Sequence, residues 1–282
     1  YLLSRSKAWW SILKMGVGMV NRMLALPRKR RAFMELLENT ISRYKSMDYP
    51  SKNANELMQL HLDFESRLLN EWKAPLLNDF FAMIWFGMLQ KYATRYIMSD
   101  NHNIHNDLLC GSSDIISTQP IHRTIEIATF VNEHPRLKKL FSDNDPAGIW
   151  STLRDGHENE VSQLRTQIEQ YINDFGERCI GELKLETISY EQDPLKFIKI
   201  LKSYVEQGVT ARATSSDIET SLREAAEKEL REKLQHKPLK KAWLRFILRQ
   251  TRSLVSGREN LRYERTRAFG IVRKIFSHMG ER

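Results

Sequence analysis

Three arginines near the end of the chain are the side chains best suited to chemistry. Arg258 and Arg265 lie on the apolar face of a predicted helix, and Arg262 lies at the edge of that face. A charged group on an inward-facing stripe is costly unless it is paired, so partners are expected. Guanidinium groups bind phosphate and carboxylate through paired hydrogen bonds, which makes an anionic ligand one candidate partner. Internal carboxylates are the other candidate, and the spacing does not choose between them.

Acidic and basic residues alternate in one short stretch that follows a glycine. If this stretch is extended, Glu182, Lys184 and Glu186 lie on one side of it. Leu183 and Leu185 would then face the core. A polar edge of this kind suits the rim of a pocket, and its carboxylates are candidate partners for the arginines. A surface loop with solvated charges explains the same pattern.

Other catalytic patterns are absent from the sequence. There is no glycine-rich phosphate loop and no strained turn around a nucleophilic serine. His102 and His105 with Asp107 could imitate metal ligands, but no second cluster has zinc spacing, so no metal is expected. Cys110 and Cys179 are the two cysteines, and their separation matches no ligand motif. This usage is typical of a reducing compartment, and a cytoplasmic location is expected.

Composition sets broad limits on the fold and on the partners. The chain has 282 residues, of which 41% are hydrophobic and 28% are charged, so it can bury a sizeable core. The formal charge of +9 favours an anionic partner. The most apolar early run, residues 9–26, is interrupted by Lys14 and Arg22 and has helical spacing. A core helix is therefore expected there, not a signal peptide or a membrane span.

The spacing of apolar residues predicts helices along nearly all of the chain. We predict a mostly α, multi-helix domain with at most one short β or extended element. It forms one domain, 1–282, in which sub-regions 1–150 and 151–282 are conceivable. The first helix should end before Pro27, and Gly176 should end a later helix in the left-handed conformation. Ser256 and Gly257 should separate the last two helices.

The run from residue 76 to 89 is apolar nearly all round, which predicts a central buried helix. Asn78 and Asp79 interrupt it. They either cap the start of the helix or, if buried, need polar partners. Methionines and aromatic residues are frequent here, and they form either ordinary core or an adaptable apolar pocket.

Residues 239–254 form a basic amphipathic helix that offers two further interpretations. Its lysines and arginines could contact nucleic acid, or the helix could lie on a membrane surface. No recognised nucleic-acid-binding motif accompanies it. Neither a nucleic-acid partner nor a membrane partner is therefore expected.

Several motifs together resemble one family of enzymes. Residues 175–183, with the sequence Phe-Gly-Glu-Arg-Cys-Ile-Gly-Glu-Leu, and the later Asp193-Pro194 resemble the Tyr/Phe-Gly-His-Arg-x-x-Gly-Glu-Leu/Phe…Asp-Pro signature of rifampicin phosphotransferases and related phosphoenolpyruvate-synthase-like dikinases. The segment 258–262 resembles the Arg-Glu-x-x-Arg/Lys helix of the same proteins. Residues 74–80 and 106–109 are also similar to this group, so the resemblance covers most of the chain.

The resemblance implies that the chain is one domain of a larger enzyme. In such enzymes an ATP-grasp domain binds ATP, a swivelling domain carries a phosphorylated histidine, and the helical middle domain holds the acceptor, such as pyruvate or rifampicin. The chain resembles only the middle domain. The implied parent is an ATP-dependent phosphotransferase of the dikinase type that uses ATP and Mg²⁺, whereas this fragment has no cofactor and should be inactive alone. The implied partners are the other two domains and a small-molecule acceptor.

The resemblance also implies roles for individual residues. Arg258 and Arg262 would be catalytic, facing the incoming phosphohistidine and stabilising the transferring phosphoryl group. The substrate-binding residues would be Arg178, Glu182, Lys184, Glu186 and Arg265. Two positions depart from the family pattern, because Arg262 stands where lysine is frequent and Glu177 stands where a histidine is expected. A helical binding or regulatory module that kept the scaffold and lost the chemistry is the alternative interpretation.

Overall fold

The structure is a computed structural model that describes residues 2–111, 119–177, 184–209 and 215–281. These residues form α-helices and no strand, which confirms the predicted fold class. The helices are α1 (Leu2–Lys45), α2 (Ala54–Arg67), α3 (Lys73–Ile97), α4 (Ile104–Asp107), α5 (Gln119–Glu133), α6 (Pro135–Asp143), α7 (Pro146–Asp155), α8 (Asn159–Phe175), α9 (Pro194–Glu206), α10 (Ser215–Lys233) and α11 (Pro238–Gly280). A short 3-10 turn, Leu69–Glu71, joins α2 to α3. None of the described helices is both long and apolar enough to cross a membrane.

Helix α11 connects two of the three apolar cores. Its first half packs with α3, α4 and α10 around Trp85 and Ile247. Its second half packs with the end of α1 and with α2 around Tyr44 and Ile275. The third core lies within α5–α9. The long helix therefore carries side chains into both of the cores that flank it.

Helix α1 continues through Pro27, so the prediction that it ends there is wrong. A proline inside a helix removes a hydrogen bond and costs about 3 kcal/mol. The residues on either side are anchored in separate cores: Leu26 is 2% exposed and Phe33 is 5% exposed. Burial of both side chains against neighbouring helices offsets the cost and keeps the helix continuous.

Helix α11 also continues through Gly257, where the sequence predicted a break. A Cβ atom at this position would lie 2.2 Å from Nη1 of Arg30 and 2.9 Å from Oδ1 of Asn78. The glycine therefore permits α1 and α3 to bring polar side chains onto the backbone of α11. Close approach, not termination of the helix, explains this glycine.

Helix α8 ends at Gly176 as predicted, but the predicted left-handed conformation is wrong. The φ of Gly176 is −65°, which any residue can adopt. A Cβ atom here would lie 2.2 Å from the carbonyl oxygen of Ile172 and 3.2 Å from Cβ of Glu191. The carbonyl oxygen of Gly176 accepts a hydrogen bond from the backbone of Glu191 at 3.0 Å. The glycine thus lets the chain that follows fold back against the end of α8.

Helix α3 lies at the centre of the domain, packed between α1 and α11, but it is not buried all round. Phe81 and Leu89 are 3% and 0% exposed on the side facing the core. Leu76 and Met83 are 66% and 62% exposed on the other side. The prediction of a wholly buried helix is therefore wrong for this second face.

Candidate functional site

The arginines of α11 lie mainly at the surface, not on an inward-facing stripe as the sequence suggested. The side chains of Arg258 and Arg262 are 44% and 53% exposed. Arg265 is partly buried between them and the core. The apolar residues assigned to the same face, among them Leu261 and Ala268, are buried as expected. The arginines therefore lie along the edge of the face that packs inward, where the charged groups of Arg258 and Arg262 reach water.

Asp79 on α3 faces the arginines of α11. Its Oδ1 lies 4.0 Å from Nε of Arg258, and its side chain is 44% exposed. Partial burial raises the pKa of Asp79 above its usual value, while the positive charges of Arg258, Arg262 and Arg265 oppose that shift. Asp79 is thus a carboxylate within electrostatic reach of all three guanidinium groups. It does not cap the helix, because α3 begins at Lys73.

Asn78, the residue before Asp79, is buried close to the contact between Asp79 and Arg258. Its side chain is fully buried, with 0% exposure, and its Nδ2 donates a hydrogen bond to the carbonyl oxygen of Leu254 at 3.0 Å. Its Oδ1 accepts from Nη1 of Arg30 at 3.3 Å, and the same nitrogen donates to the carbonyl oxygen of Ser253 at 3.0 Å. These bonds join α1, α3 and α11 directly below Arg258. Burial lowers the pKa of Arg30.

Positive charge exceeds negative charge in this cluster. Besides the contact of Arg258 with Asp79, Arg262 pairs with Glu259 at 3.2 Å. Among the described residues, the buried Nε of Arg265 has no hydrogen-bond acceptor. Three guanidinium groups therefore share two carboxylates at a partly open surface. Such a surface can bind a phosphate or a carboxylate group.

Of the remaining predicted site residues, two can be placed. Lys184 and Glu186 are exposed, and Leu185 between them is 39% exposed, so the prediction that this leucine faces the core is wrong. Arg178 and Glu182 lie outside the described residues. The carbonyl oxygen of Lys184 accepts from Nε and Nη2 of Arg273 at 3.3 Å.

The position of Arg273 on α11 shows how far the backbone of Lys184 lies from the arginine cluster. At a rise of about 1.5 Å per residue, Arg273 is roughly 22 Å along α11 from Arg258. The structure therefore attaches the backbone of Lys184 well away from Asp79 and Arg258. It brings Arg258, Arg262 and Arg265 together and sets Lys184 and Glu186 apart from them.

Arg273 is itself almost fully buried, at 2% exposure. Its Nη1 donates to the carbonyl oxygen of Glu177 at 3.3 Å. One guanidinium group therefore binds the backbone on both sides of residues 178–183. A buried guanidinium group needs hydrogen-bond acceptors, and here they are backbone carbonyl oxygens. Arg273 therefore holds the backbone of Glu177 and Lys184 in position against α11.

Glu177 is buried beside α11. It is 3% exposed, and its Oε1 lies 2.5 Å from Nζ of Lys45 at the end of α1. Its side chain packs against Gly270, where a Cβ atom would lie 2.7 Å from Cγ of Glu177. The carboxylate is therefore enclosed by the protein and does not face the arginine cluster.

A second buried carboxylate lies on α11 near Glu177. Glu264 is 3% exposed and accepts from Nη1 of Arg267 at 2.9 Å, and the same nitrogen donates to Glu38 at 2.8 Å. Burial raises the pKa of Glu264, and the contact with Arg267 opposes the shift. The hydrogen bond from Arg267 lowers the pKa of Glu38. This group of ion pairs fastens α1 to α11 between the arginine cluster and Arg273.

No motif or spacing in the sequence pointed to Glu38, Glu264 or Lys45. The only signal in the sequence was the set of charges on the apolar side of α11, and the prediction considered only the arginines among them. Arg267 pairs with Glu38, and Glu177 pairs with Lys45. Glu38 and Lys45 lie on α1, far from their partners in sequence, so spacing could not identify these pairs. Of the histidines considered as metal ligands, His105 is buried with its ring 5.6 Å from that of Phe86.

Comparison with known families agrees with this architecture. A family model of the rifampicin phosphotransferase fourth domain matches residues 76–259, which is more than half of the chain. The chain belongs to the rifampicin phosphotransferase fourth-domain family. It is therefore a phosphotransferase-related, all-helical domain. No match to a curated protein was found.

The part matched by the rifampicin phosphotransferase family includes both partners of the contact between α3 and α11. Asp79 lies near its start, and Arg258 lies at its end. Arg262, Arg265 and Arg273 follow the matched residues on the same continuous helix. The family match therefore covers Asp79 and Arg258, and the other arginines of the cluster lie beyond the matched residues.

Proposed function

We propose that the chain is the acceptor-binding domain of an ATP-dependent phosphotransferase that works through a phosphohistidine carried on another domain. The observation that carries the proposal is the cluster of Arg258, Arg262 and Arg265 around Asp79 in a domain of the rifampicin phosphotransferase family. Phosphoryl transfer depends mainly on positioning and on stabilising negative charge, and arginines supply both.

The contact between Asp79 and Arg258 suits a site that exchanges one anion for another. The two side chains are half-exposed and 4.0 Å apart, so the pair contributes at most about 1 kcal/mol. A phosphoryl group with two or three charged oxygens can form paired hydrogen bonds to Arg258 and displace the carboxylate. Asp79 then holds Arg258 in place while the site is empty, at little cost to binding.

Each arginine has a proposed part in this reaction. Arg258 and Arg262 would face the phosphohistidine and stabilise the phosphoryl group during transfer. Arg265, which is partly buried beside them, would bind an oxygen of the acceptor. The ATP-grasp and phosphohistidine domains of the same parent would be the partners. ATP would supply the phosphoryl group there, and Mg²⁺ would bind the ATP phosphates.

The positions of Lys184 and Glu186 bear on the size of the acceptor. Arg178, Glu182, Lys184 and Glu186 remain proposed acceptor-binding residues. The backbone at Lys184 is fastened to α11 roughly 22 Å from Arg258 along the helix axis. An acceptor that touched both regions would have to be large, whereas an acceptor as small as pyruvate could contact only one of them.

The test is the substitution Arg258→Ala in the complete parent enzyme. Phosphorylation of the carrier histidine should be unchanged, and transfer to the acceptor should fall about 100-fold or more, because one charge-stabilising group is lost. Arg136→Ala is the matched control, since Arg136 forms a surface ion pair with Glu158 at 2.8 Å on another part of the domain. Unchanged acceptor turnover in the Arg258 variant would refute the proposal.

One observation favours a second candidate, a helical binding or regulatory module without chemistry. Glu177 occupies the position of the family's histidine, and it is buried and paired with Lys45. A side chain so enclosed cannot exchange a proton with an acceptor. If the unaltered parent phosphorylates its histidine and transfers no phosphate to any of a panel of hydroxyl-bearing acceptors, this second candidate replaces the first.

A further inference from the structure

A separate groove lies between α10 and the first half of α11. It has a volume of about 270 Å³, at the small end of the range for ligand pockets. Two leucines and five charged residues line it: Glu227, Leu230, Arg231, Arg245, Leu248, Arg249 and Arg252. Four arginines and one glutamate thus surround a space that is large enough for a small molecule.

The base of the groove is apolar. Leu230 and Leu248 are 3% and 6% exposed and belong to the core formed by α3, α10 and α11. Charged groups interact more strongly beside such a surface than in water, because less solvent screens them. The arginines therefore stand over a floor that favours the binding of an opposite charge.

The single carboxylate in the groove is already engaged. Glu227 accepts a hydrogen bond from Nη2 of Arg252 at 2.7 Å and lies 3.7 Å from Nη1 of Arg231. Arg252 also donates from Nε to the carbonyl oxygen of Leu108 at 3.0 Å. These contacts hold Arg252 in one orientation, and they engage the one carboxylate among the residues that line the groove.

Arg245 and Arg249 are exposed and lie one turn apart on α11. Neither of them forms an ion pair with the carboxylates of the described residues. Like charges one helical turn apart destabilise a helix by a few tenths of a kcal/mol unless an anion lies between them. Their guanidinium groups can each bind two oxygens of a phosphate group.

We propose that this groove binds a small polyanion that carries two or more phosphate groups. Arg245 and Arg249 would bind one phosphate group, and Arg231 would contact the next. The size of the groove favours a small molecule over a macromolecule, because a nucleic acid needs an extended basic surface. The floor of two leucines leaves room for an apolar group attached to the phosphates.

The groove is distinct from the arginine cluster of the proposed function. At about 100° per residue, Arg249 and Arg258 are about 180° apart around α11. The two sites therefore face opposite sides of the helix. Binding in the groove does not require that acceptor transfer occurs at Arg258.

The test is isothermal titration calorimetry of the whole chain with inorganic pyrophosphate at low salt. The double substitution Arg245→Ala/Arg249→Ala should weaken binding at least 30-fold, because two charge-assisted contacts are lost. The matched control, Lys138→Ala/Lys139→Ala, removes the same charge from exposed positions on α6 and should change the affinity less than threefold. Arg245→Lys/Arg249→Lys should give an intermediate affinity, since lysine keeps the charge without the paired hydrogen bonds.

Three outcomes would overturn the proposal. Pyrophosphate could fail to bind, or the control pair could weaken binding as much as the groove pair does. Single-stranded oligonucleotides could bind through Arg245 and Arg249 while pyrophosphate does not, which would identify a nucleic-acid surface instead. Far-UV circular dichroism of each variant confirms the fold, which should be retained because both arginines are exposed. The assay measures no phosphoryl transfer, so its result is separate from that of the Arg258 experiment.

Discussion

Asn78 joins three helices beneath the arginine cluster, and its removal tests whether those bonds hold the site together. Its side chain is fully buried and makes two hydrogen bonds, to the carbonyl oxygen of Leu254 and from Arg30. The substitution Asn78→Ala removes both bonds and adds no bulk. Arg30 would keep its hydrogen bond to the carbonyl oxygen of Ser253.

The expected loss of stability follows from the two partners. The bond to the Leu254 carbonyl contributes about 1 kcal/mol, and the bond from the charged Arg30 contributes roughly 1.5–3 kcal/mol. Alanine recovers about 0.5 kcal/mol because it favours the helix more than asparagine does. The free energy of unfolding should therefore fall by about 2–4 kcal/mol. For a domain of this size the melting temperature should fall by roughly 2 °C per kcal/mol.

The measurement is urea denaturation of the unaltered protein and the variant, followed by far-UV circular dichroism and by tryptophan fluorescence. Agreement between the two signals is needed before a single free energy of unfolding is derived. Gln90→Ala is the matched control, because Gln90 is an exposed amide on the same helix. It should change the free energy of unfolding by less than about 0.5 kcal/mol.

A loss below about 1 kcal/mol for Asn78→Ala would show that these bonds do not hold the three helices together. Asn78→Asp separates the two bonds. It keeps an acceptor for Arg30 and gains an ion pair, but it places a carboxylate oxygen against the carbonyl oxygen of Leu254. The aspartate variant should be destabilised at neutral pH and should recover stability as acidification restores a donor.

Two further predictions concern Arg273 and Asp79. Arg273→Met should lower the free energy of unfolding, measured by urea denaturation, by about 2–3 kcal/mol. The reason is that the carbonyl oxygens of Glu177 and Lys184 lose a buried donor. A change below about 0.5 kcal/mol would contradict this prediction. Burial raises the pKa of Asp79, so during acidification from pH 7 to pH 4 it should be protonated at a higher pH than an exposed aspartate and release Arg258. Sulfate, whose charge is constant over this range, should then bind more tightly by calorimetry, and Asp79→Asn should lose most of that pH dependence.

Local signals in the sequence identified some helix boundaries correctly and failed at others. Pro135 and Pro146 each stand at the first position of a helix, as proline prefers, and Gly176 ends another helix, although not in the left-handed conformation. Such residues act through their own backbone geometry, so their effect is visible without the fold. The predicted helix ends at Pro27 and Gly257 were wrong because packing between helices, and not local preference, determined the backbone there.

The candidate site was predictable only in part. The spacing on one helix grouped Arg258, Arg262 and Arg265, and the structure keeps them together. Spacing could not show that Asp79 faces them, because their approach depends on how α3 packs against α11. Nor could it show that Lys184 is fastened far along the helix by Arg273.

The sequence by itself determined that the chain is helical, that its long terminal helix carries a row of arginines, and which family of enzymes it resembles. Those properties depend on periodicity and on local motifs, which act over one or two turns of helix. Only the tertiary structure decided which charges pair, which are buried and which face water. Glu177 and Arg258 illustrate the difference: both are single charges in the sequence, yet packing encloses one beside Lys45 and leaves the other open to an anion. Burial and pairing depend on contacts between distant segments, and those contacts exist only in the folded domain.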